Sequence, residues 1–150
     1  MVKGHILVDI DIKDAPVKKL VETVKHTGTE DQVLFFQHHN LTHDSLLFMD
    51  SKLMLVPRAG TVEDAKTLLI KYRPVVMQIP PEIASRELVY QMKQGGCSVW
   101  INSLGDADDM AEEGKLEEAF SPLVDMGATV IQSDRPDLLL QHLKGINLHW

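Results

Sequence analysis

The chain has 150 residues, 44% of them hydrophobic, and its 22 acidic against 15 basic residues give a formal charge of -7. That length and apolar content suffice for one domain with a packed core, while scattered Lys and Arg on an acidic chain speak against nucleic acid as a partner. The single cysteine, Cys97, sits in an apolar run, so it cannot form an internal disulfide and reads as a small core residue rather than a nucleophile. No apolar stretch approaches the roughly 20 residues of a membrane span, and the N-terminus as given lacks the pattern of a signal peptide, so the chain reads as soluble.

The run His5–Ile12 predicts the first strand and carries the most informative residues. Side chains alternate along a strand, so Asp9, Asp11 and Lys13 share one face while Ile10 and Ile12 take the other. Near-continuous apolar runs belong to parallel sheets covered on both faces, where charges need a metal, an anion or one another as partners. An Asp11–Lys13 ion pair at a solvated strand end fits the spacing as well as a binding site does. Asp9, deeper on the same face, is a further candidate to keep Lys13 charged.

A helix over Pro16–His26 follows, with Val17, Leu20, Val21 and Val24 as its apolar stripe, Asp14 as its cap and Gly28 at its end. The strand Val33–Gln37 leads into His38-His39-Asn40-Leu41-Thr42-His43-Asp44 and a helix over Thr42–Met49, capped by Asn40 or Thr42. His39 and His43 have the spacing of a transition-metal pair, with His38 or Asp44 to complete it. No Cys or Glu at ligand spacing supports that, and the segment reads as loop and first helical turn.

The strand Leu53–Val56 ends near Arg58, whose guanidinium suits either an anion or a surface ion pair. Next come a helix over Val62–Tyr72, a strand over Val75–Ile79, a helix over Ile83–Gln94 and a strand over Ser98–Asn102, on which Trp100 and Asn102 share a face. Asp106, Asp108, Asp109, Glu112 and Glu113 lack the spacing of a calcium-binding helix-loop-helix and read as a solvated, mobile loop. A helix over Leu116–Asp125, a strand over Thr129–Gln132 and a helix over Pro136–Leu143 close the chain. Six βα units without a linker make residues 1–150 a single α/β domain, and their length of roughly 20 to 25 residues suits both a barrel and a doubly wound sheet.

Three stretches, Asp11-Ile12-Lys13, Val99-Trp100-Ile101-Asn102 and Gly127-Ala128-Thr129-Val130-Ile131-Gln132-Ser133-Asp134-Arg135-Pro136-Asp137-Leu138, resemble in content and order the later motifs of the glycerophosphodiester phosphodiesterase family. Those motifs are an acid-x-Lys strand, a Trp-x-x-Asn-like strand and a Gly-rich final strand ending in Thr-Asp-Arg-Pro. The resemblance implies a TIM-type (β/α)8 barrel represented by its last six βα units, with a doubly wound parallel sheet as the alternative. It implies a metal-dependent phosphoric diester hydrolase of glycerophospholipid metabolism, acting on a small phosphodiester. By the same resemblance Asp11 stands where the family ligates calcium or magnesium, as Asp in place of the usual Glu, and Lys13 faces the substrate phosphate. Trp100 matches an aromatic that packs against substrate, or is a core or rim tryptophan. Asn102 is a hydrogen-bonding group of the site or a strand-ending turn residue, and Asp134 is the cap of the last helix.

The departures are as specific. The family's acid and base, two histidines in a His-Arg-Gly and a His-Asp motif, are missing, and so is its Glu-x-Asp metal pair. Thr42-His43-Asp44 contains the His-Asp dipeptide at the wrong place in the order. No catalytic residue is therefore assigned, the divalent metal is expected to bind weakly or not at all, and a non-catalytic anion-binding or remnant module is the other functional reading. The first two βα units of the family have no counterpart, which leaves sheet edges that invite self-association.

Overall fold

The structure, a computed structural model, describes residues 6–38 and 40–149, with Asn40 described for its backbone alone. His5 and His39 lie outside the described residues. The strands are β1 (Val8–Asp11), β2 (Val33–Gln37), β3 (Met54–Pro57), β4 (Val76–Gln78), β5 (Ser98–Asn102) and β6 (Val130–Gln132). Between and after them run α1 (Val17–Thr27), α2 (Asn40–Met49), α3 (Val62–Tyr72), α4 (Arg86–Gln94), α5 (Asp106–Glu112), α6 (Leu116–Met126) and α7 (Pro136–Gly145).

All pairings are parallel and follow chain order, β1-β2-β3 in one sheet and β4-β5-β6 in a second. The two sheets meet at the bridge Arg58↔Gln78, beside which the Ala59 N–H donates to the Gln78 carbonyl at 3.0 Å. Helices cover one face only. Phe35, Leu55, Met77, Val99 and Ile101 point from the strands into a core completed by Val21, Val24, Leu46, Leu68, Leu88 and Met92 of the helices. The opposite face packs strand residues alone: Leu34, Phe36, Val56, Val76 and Trp100, flanked by Met54 and Val130. A doubly wound sheet has helices on both faces and reverses its strand order at a switch point. Neither feature is present among the described residues, which speaks against that alternative, although the two sheets do not close into a barrel.

Local chemistry explains most boundaries. The Thr61 hydroxyl caps α3 by accepting from the Asp64 N–H at 3.1 Å, while Asp64 accepts from the Gly60 N–H at 2.9 Å. Gly28 ends α1 in the left-handed region at φ 60°. One cap and one helix start differ from expectation here. Pro16 itself occupies the N-cap of α1 with no side-chain cap bond, so Asp14 does not fill that role. α4 begins at Arg86, later than its apolar stripe suggests, because Pro80 and Pro81 hold a turn whose carbonyls take the Ile83 and Ala84 amides.

The largest correction concerns the acidic stretch expected to be a mobile loop. It forms α5, and Asp108 is buried in it with 5% exposure. Asp108 Oδ1 accepts from the hydroxyls of Ser103 and Ser133, both at 2.7 Å, and Oδ2 accepts from the Asp134 N–H at 2.7 Å. One carboxylate thus ties the loop after β5 to the loop after β6. Asp134 donates its amide here and caps nothing, while the Ser133 hydroxyl takes the Arg135 N–H at 2.9 Å.

His43 is likewise structural. It lies on α2 with 1% exposure, its ring 5.4 Å from that of Tyr72, and neither nitrogen finds a hydrogen-bond partner among the described residues. Burial pushes its pKa down to about 4, against the pull of Asp44 and with the help of Lys71. The unfolded chain binds a proton at His43 below the ordinary value of 6.5, whereas the folded chain resists until about 4. Stability from this residue is therefore complete above pH 6.5 and is lost as pH falls toward 4, by about 3 kcal/mol. Urea unfolding at pH 7 and pH 4 should show that loss in the wild type and a smaller one in His43→Leu; equal losses would show that His43 is not buried neutral.

Candidate functional site

The inner face ends in a row of polar residues at the carboxyl ends of the strands. Asp11 pairs with Phe36 and Phe36 with Val56, so two residues further along these strands Lys13, His38 and Arg58 follow on the same face. The row continues because Arg58 pairs with Gln78 and Gln78 with Trp100, and two residues further along β5 Asn102 pairs with Gln132. The Phe36 and His38 rings meet edge to face with centroids 5.0 Å apart, as same-face neighbours do. Gln37 fastens the end of β1 to β2: its Nε2 donates to the Ile12 carbonyl at 2.8 Å and its Oε1 accepts from the His38 N–H at 2.6 Å.

Lys13 Nζ lies 2.6 Å from Asp11 Oδ2, with the side chains 70% and 43% exposed. Lys13 is thus paired with Asp11, and Asp9 is not its partner. An ion pair this exposed contributes at most about 1 kcal/mol and yields readily to a competing anion. Asp9 stands two residues deeper, on the same face as Asp11. Partial burial, and then the Asp11 charge, push its carboxyl up to about 6.

Trp100 and Asn102 form the other end of the mouth. The indole Nε1–H donates to Asn102 Oδ1 at 2.8 Å, and the Gln78 amide donates to the same oxygen at 3.0 Å. The Trp100 ring lies on the inner face, 6.2 Å from that of Phe36, and not under a helix. Beside Asn102 a cavity of about 500 Å³ opens among Pro81, Leu104, Met110, Pro122 and Met126. Gln78 is the residue that sequence reasoning missed. A polar side chain two positions after buried Val76, repeating the spacing of Trp100 and Asn102, was the available signal.

The remaining candidates stay outside this arrangement. Cys97 is buried, and burial pushes its thiol up to about 12, as befits a core residue. His43 points into the helix-covered core, whereas His38 stands at the mouth, so no histidine pair forms among the described residues. No group of three or more His, Cys, Asp or Glu side chains converges as a metal site among the described residues. Asp11, already held by Lys13, is one carboxylate where a tight calcium site takes six or more oxygens. The described residues do not fit a complete divalent-metal site.

Asp9 supplies a pH test. The unfolded carboxyl ionises at the ordinary 3.8 and the folded one at about 6, so stability is complete below pH 3.8 and falls as pH rises through 6. Asp9→Asn should raise the melting temperature at pH 7.5 and leave it nearly unchanged at pH 4; a lowered value at pH 7.5 would mean that the ionised carboxylate has a favourable partner.

No protein-family model and no curated protein sequence matches the chain. Solved structures do. A glycerophosphoryl diester phosphodiesterase from Parabacteroides distasonis superposes with a TM-score of 0.78 at 19% identity, covering 93% of this chain and 51% of that one. The glycerophosphodiester phosphodiesterase of Agrobacterium tumefaciens gives 0.71 at 17% identity, covering 91% and 57%. A second one from Parabacteroides distasonis gives 0.67 at 13% identity, covering 93% and 57%. The chain spans about half the length of these structures. At such identities the likeness is one of fold, and that fold is the one found in the C-terminal portion of glycerophosphodiester phosphodiesterases.

Proposed function

We propose that this chain is the C-terminal part of a (β/α)8 phosphoric diester hydrolase fold of the glycerophosphodiester phosphodiesterase type. It binds the phosphate of a small phosphodiester at its mouth and carries an incomplete site for hydrolysis. The observation that supports this reading is the polar run along the inner face, with Lys13 just past β1, Trp100 within β5 and Asn102 at the end of β5, toward the carboxyl ends of parallel strands where active sites of such folds lie. Lys13 leaves Asp11 for the phosphate oxygens, the Trp100 face packs on the organic part of the ester, and the Asn102 amide donates to it.

A divalent metal would supply charge to offset the developing phosphoryl negative charge. Asp11 is the residue of this chain that would hold it, and one carboxylate makes that binding weak. General acid and base contribute on the order of two to four powers of ten each, and neither His38 nor core-bound His43 matches the family's pair. The non-catalytic reading, an anion-binding module, therefore applies to the chain by itself. Purified protein should show no measurable hydrolysis of glycerophosphocholine with calcium or magnesium, yet bind glycerol 3-phosphate in a way that Lys13→Met weakens without unfolding. Turnover abolished by Lys13→Ala would overturn the incomplete-site reading, and binding indifferent to Lys13→Met would overturn the phosphate mouth.

The outer edges of β1 and β6 have no strand partner among the described residues, and Ile6 and Leu7 beside β1 are exposed. Such edges pair with other chains. Sedimentation velocity should show association that grows with concentration; a monomer throughout the range would sink the self-association reading.

A further inference from the structure

We propose that Arg58 is a second phosphate-binding cation of the mouth and that Gln78 is the residue that positions it. The inference rests on the phosphate-binding reading above and extends it to two residues that this reading leaves unused. Arg58 is exposed at the end of β3, in the row that begins at Lys13, and Gln78 stands next to it across the bridge between the two sheets. Arg86 and Arg135 are held by Asp125 and by Glu112 and Asp137, whereas Arg58 has no carboxylate partner among the described residues. Lys13 and Arg58 stand two strands apart, about 10 Å between backbones. Their long side chains span that distance around one phosphate.

Gln78 supplies the second, independent observation. Its side chain is buried, with 5% exposure, and its Oε1 has no partner among the described residues. The orientation of this amide follows from a chain of donors. The Trp100 indole N–H can only donate, so Asn102 must turn its Oδ1 toward it. That oxygen then takes the Nε2–H of Gln78, which fixes Gln78 Oε1 on the other side of the amide. A buried acceptor without a donor is destabilising, and a donor entering the mouth relieves it. A planar guanidinium meets both needs: one N–H goes to Gln78 Oε1 and the outer edge of the fork stays free for two phosphate oxygens. An ammonium at the same place has no such second edge. The anion draws Arg58 inward, and Gln78 gives it the plane in which the fork faces the phosphate.

The test is a titration of the full chain with glycerol 3-phosphate, comparing wild type, Arg58→Lys, Gln78→Met and the double variant, with unfolding midpoints as the control for folding. Arg58→Lys should weaken binding about tenfold, the loss of one charge-assisted fork. Gln78→Met should weaken it several-fold when Arg58 is present and leave it unchanged in the Arg58→Lys background. An effect of Gln78→Met that simply adds to that of Arg58→Lys would reduce Gln78 to a packing residue and overturn the positioning role. Should Gln78→Met fail to fold, the nitrogen resonance of Arg58 Nε in the wild type decides instead: it should shift and gain exchange protection on adding glycerol 3-phosphate, and no change overturns the inference. Binding weakened by Lys13→Met and untouched by Arg58→Lys would overturn this inference alone. Binding indifferent to Lys13→Met overturns the phosphate mouth and this inference with it.

Discussion

Phe36 and Trp100 stand on β2 and β5, three strands apart, and in a flat sheet their backbones would be about 14 Å from each other. Their ring centroids are 6.2 Å apart. The inner face carries large apolar side chains and no helix crosses it, so those side chains escape water only if the sheet bends until distant strands face one another. Burial of Val56, Val76, Leu34 and Phe36 on that face follows from the bend. The mouth depends on it too, because a concave sheet turns the ends of β1, β3, β4 and β5 toward a common space.

The bend passes through a weak place. β3 and β4 are joined by one bridge at Arg58 and Gln78, where the other neighbours share three or four paired residues. Polar fasteners on the helical side compensate. Asp44 of α2 accepts from the Tyr72 hydroxyl at 2.9 Å and pairs with Lys71 at 2.9 Å, tying α2 to α3. Asp108 does the same for the loops after β5 and β6, with three hydrogen bonds to one buried carboxylate. Arg135 adds a link from α7 to Glu112 of α5. The Asp108 and Arg135 fasteners lie just past the carboxyl ends of β5 and β6, so the loops that frame that side of the mouth are held by charges as well as by apolar packing.

The same chemistry separates Asp108 from Asp11. Both are acidic residues past the carboxyl ends of strands or at them, but Asp108 accepts three hydrogen bonds from the protein and is buried. Asp11 meets Lys13 alone among the described residues and remains open to water. A buried carboxylate with several hydrogen bonds holds structure, while an exposed one is free to exchange its partner. Gln78 falls between them, buried like Asp108 yet with one acceptor unused.

How much of this was legible beforehand can be read from particular residues. The alternation of Asp9, Ile10, Asp11 and Ile12 defined which side of the first strand is polar, and the stripe Val17, Leu20, Val21, Val24 marked a helix, because both depend only on the local repeat of backbone geometry. The acidic run at Asp106–Glu112 misled for the complementary reason. Its composition is that of a solvated loop, and only contact with Ser103, Ser133 and the Asp134 amide, a segment some 25 residues away, gives Asp108 partners enough to be buried in a helix. The cap expected from Asp134 was lost to the same contact. Periodicity could not choose between one-sided and two-sided helical cover, since a strand buried on both faces reads alike whether a helix or the sheet itself lies opposite. Chain order of the strands and the meeting of Phe36 with Trp100 made that choice, because they are relations between residues far apart in sequence, and these exist only once the chain is folded.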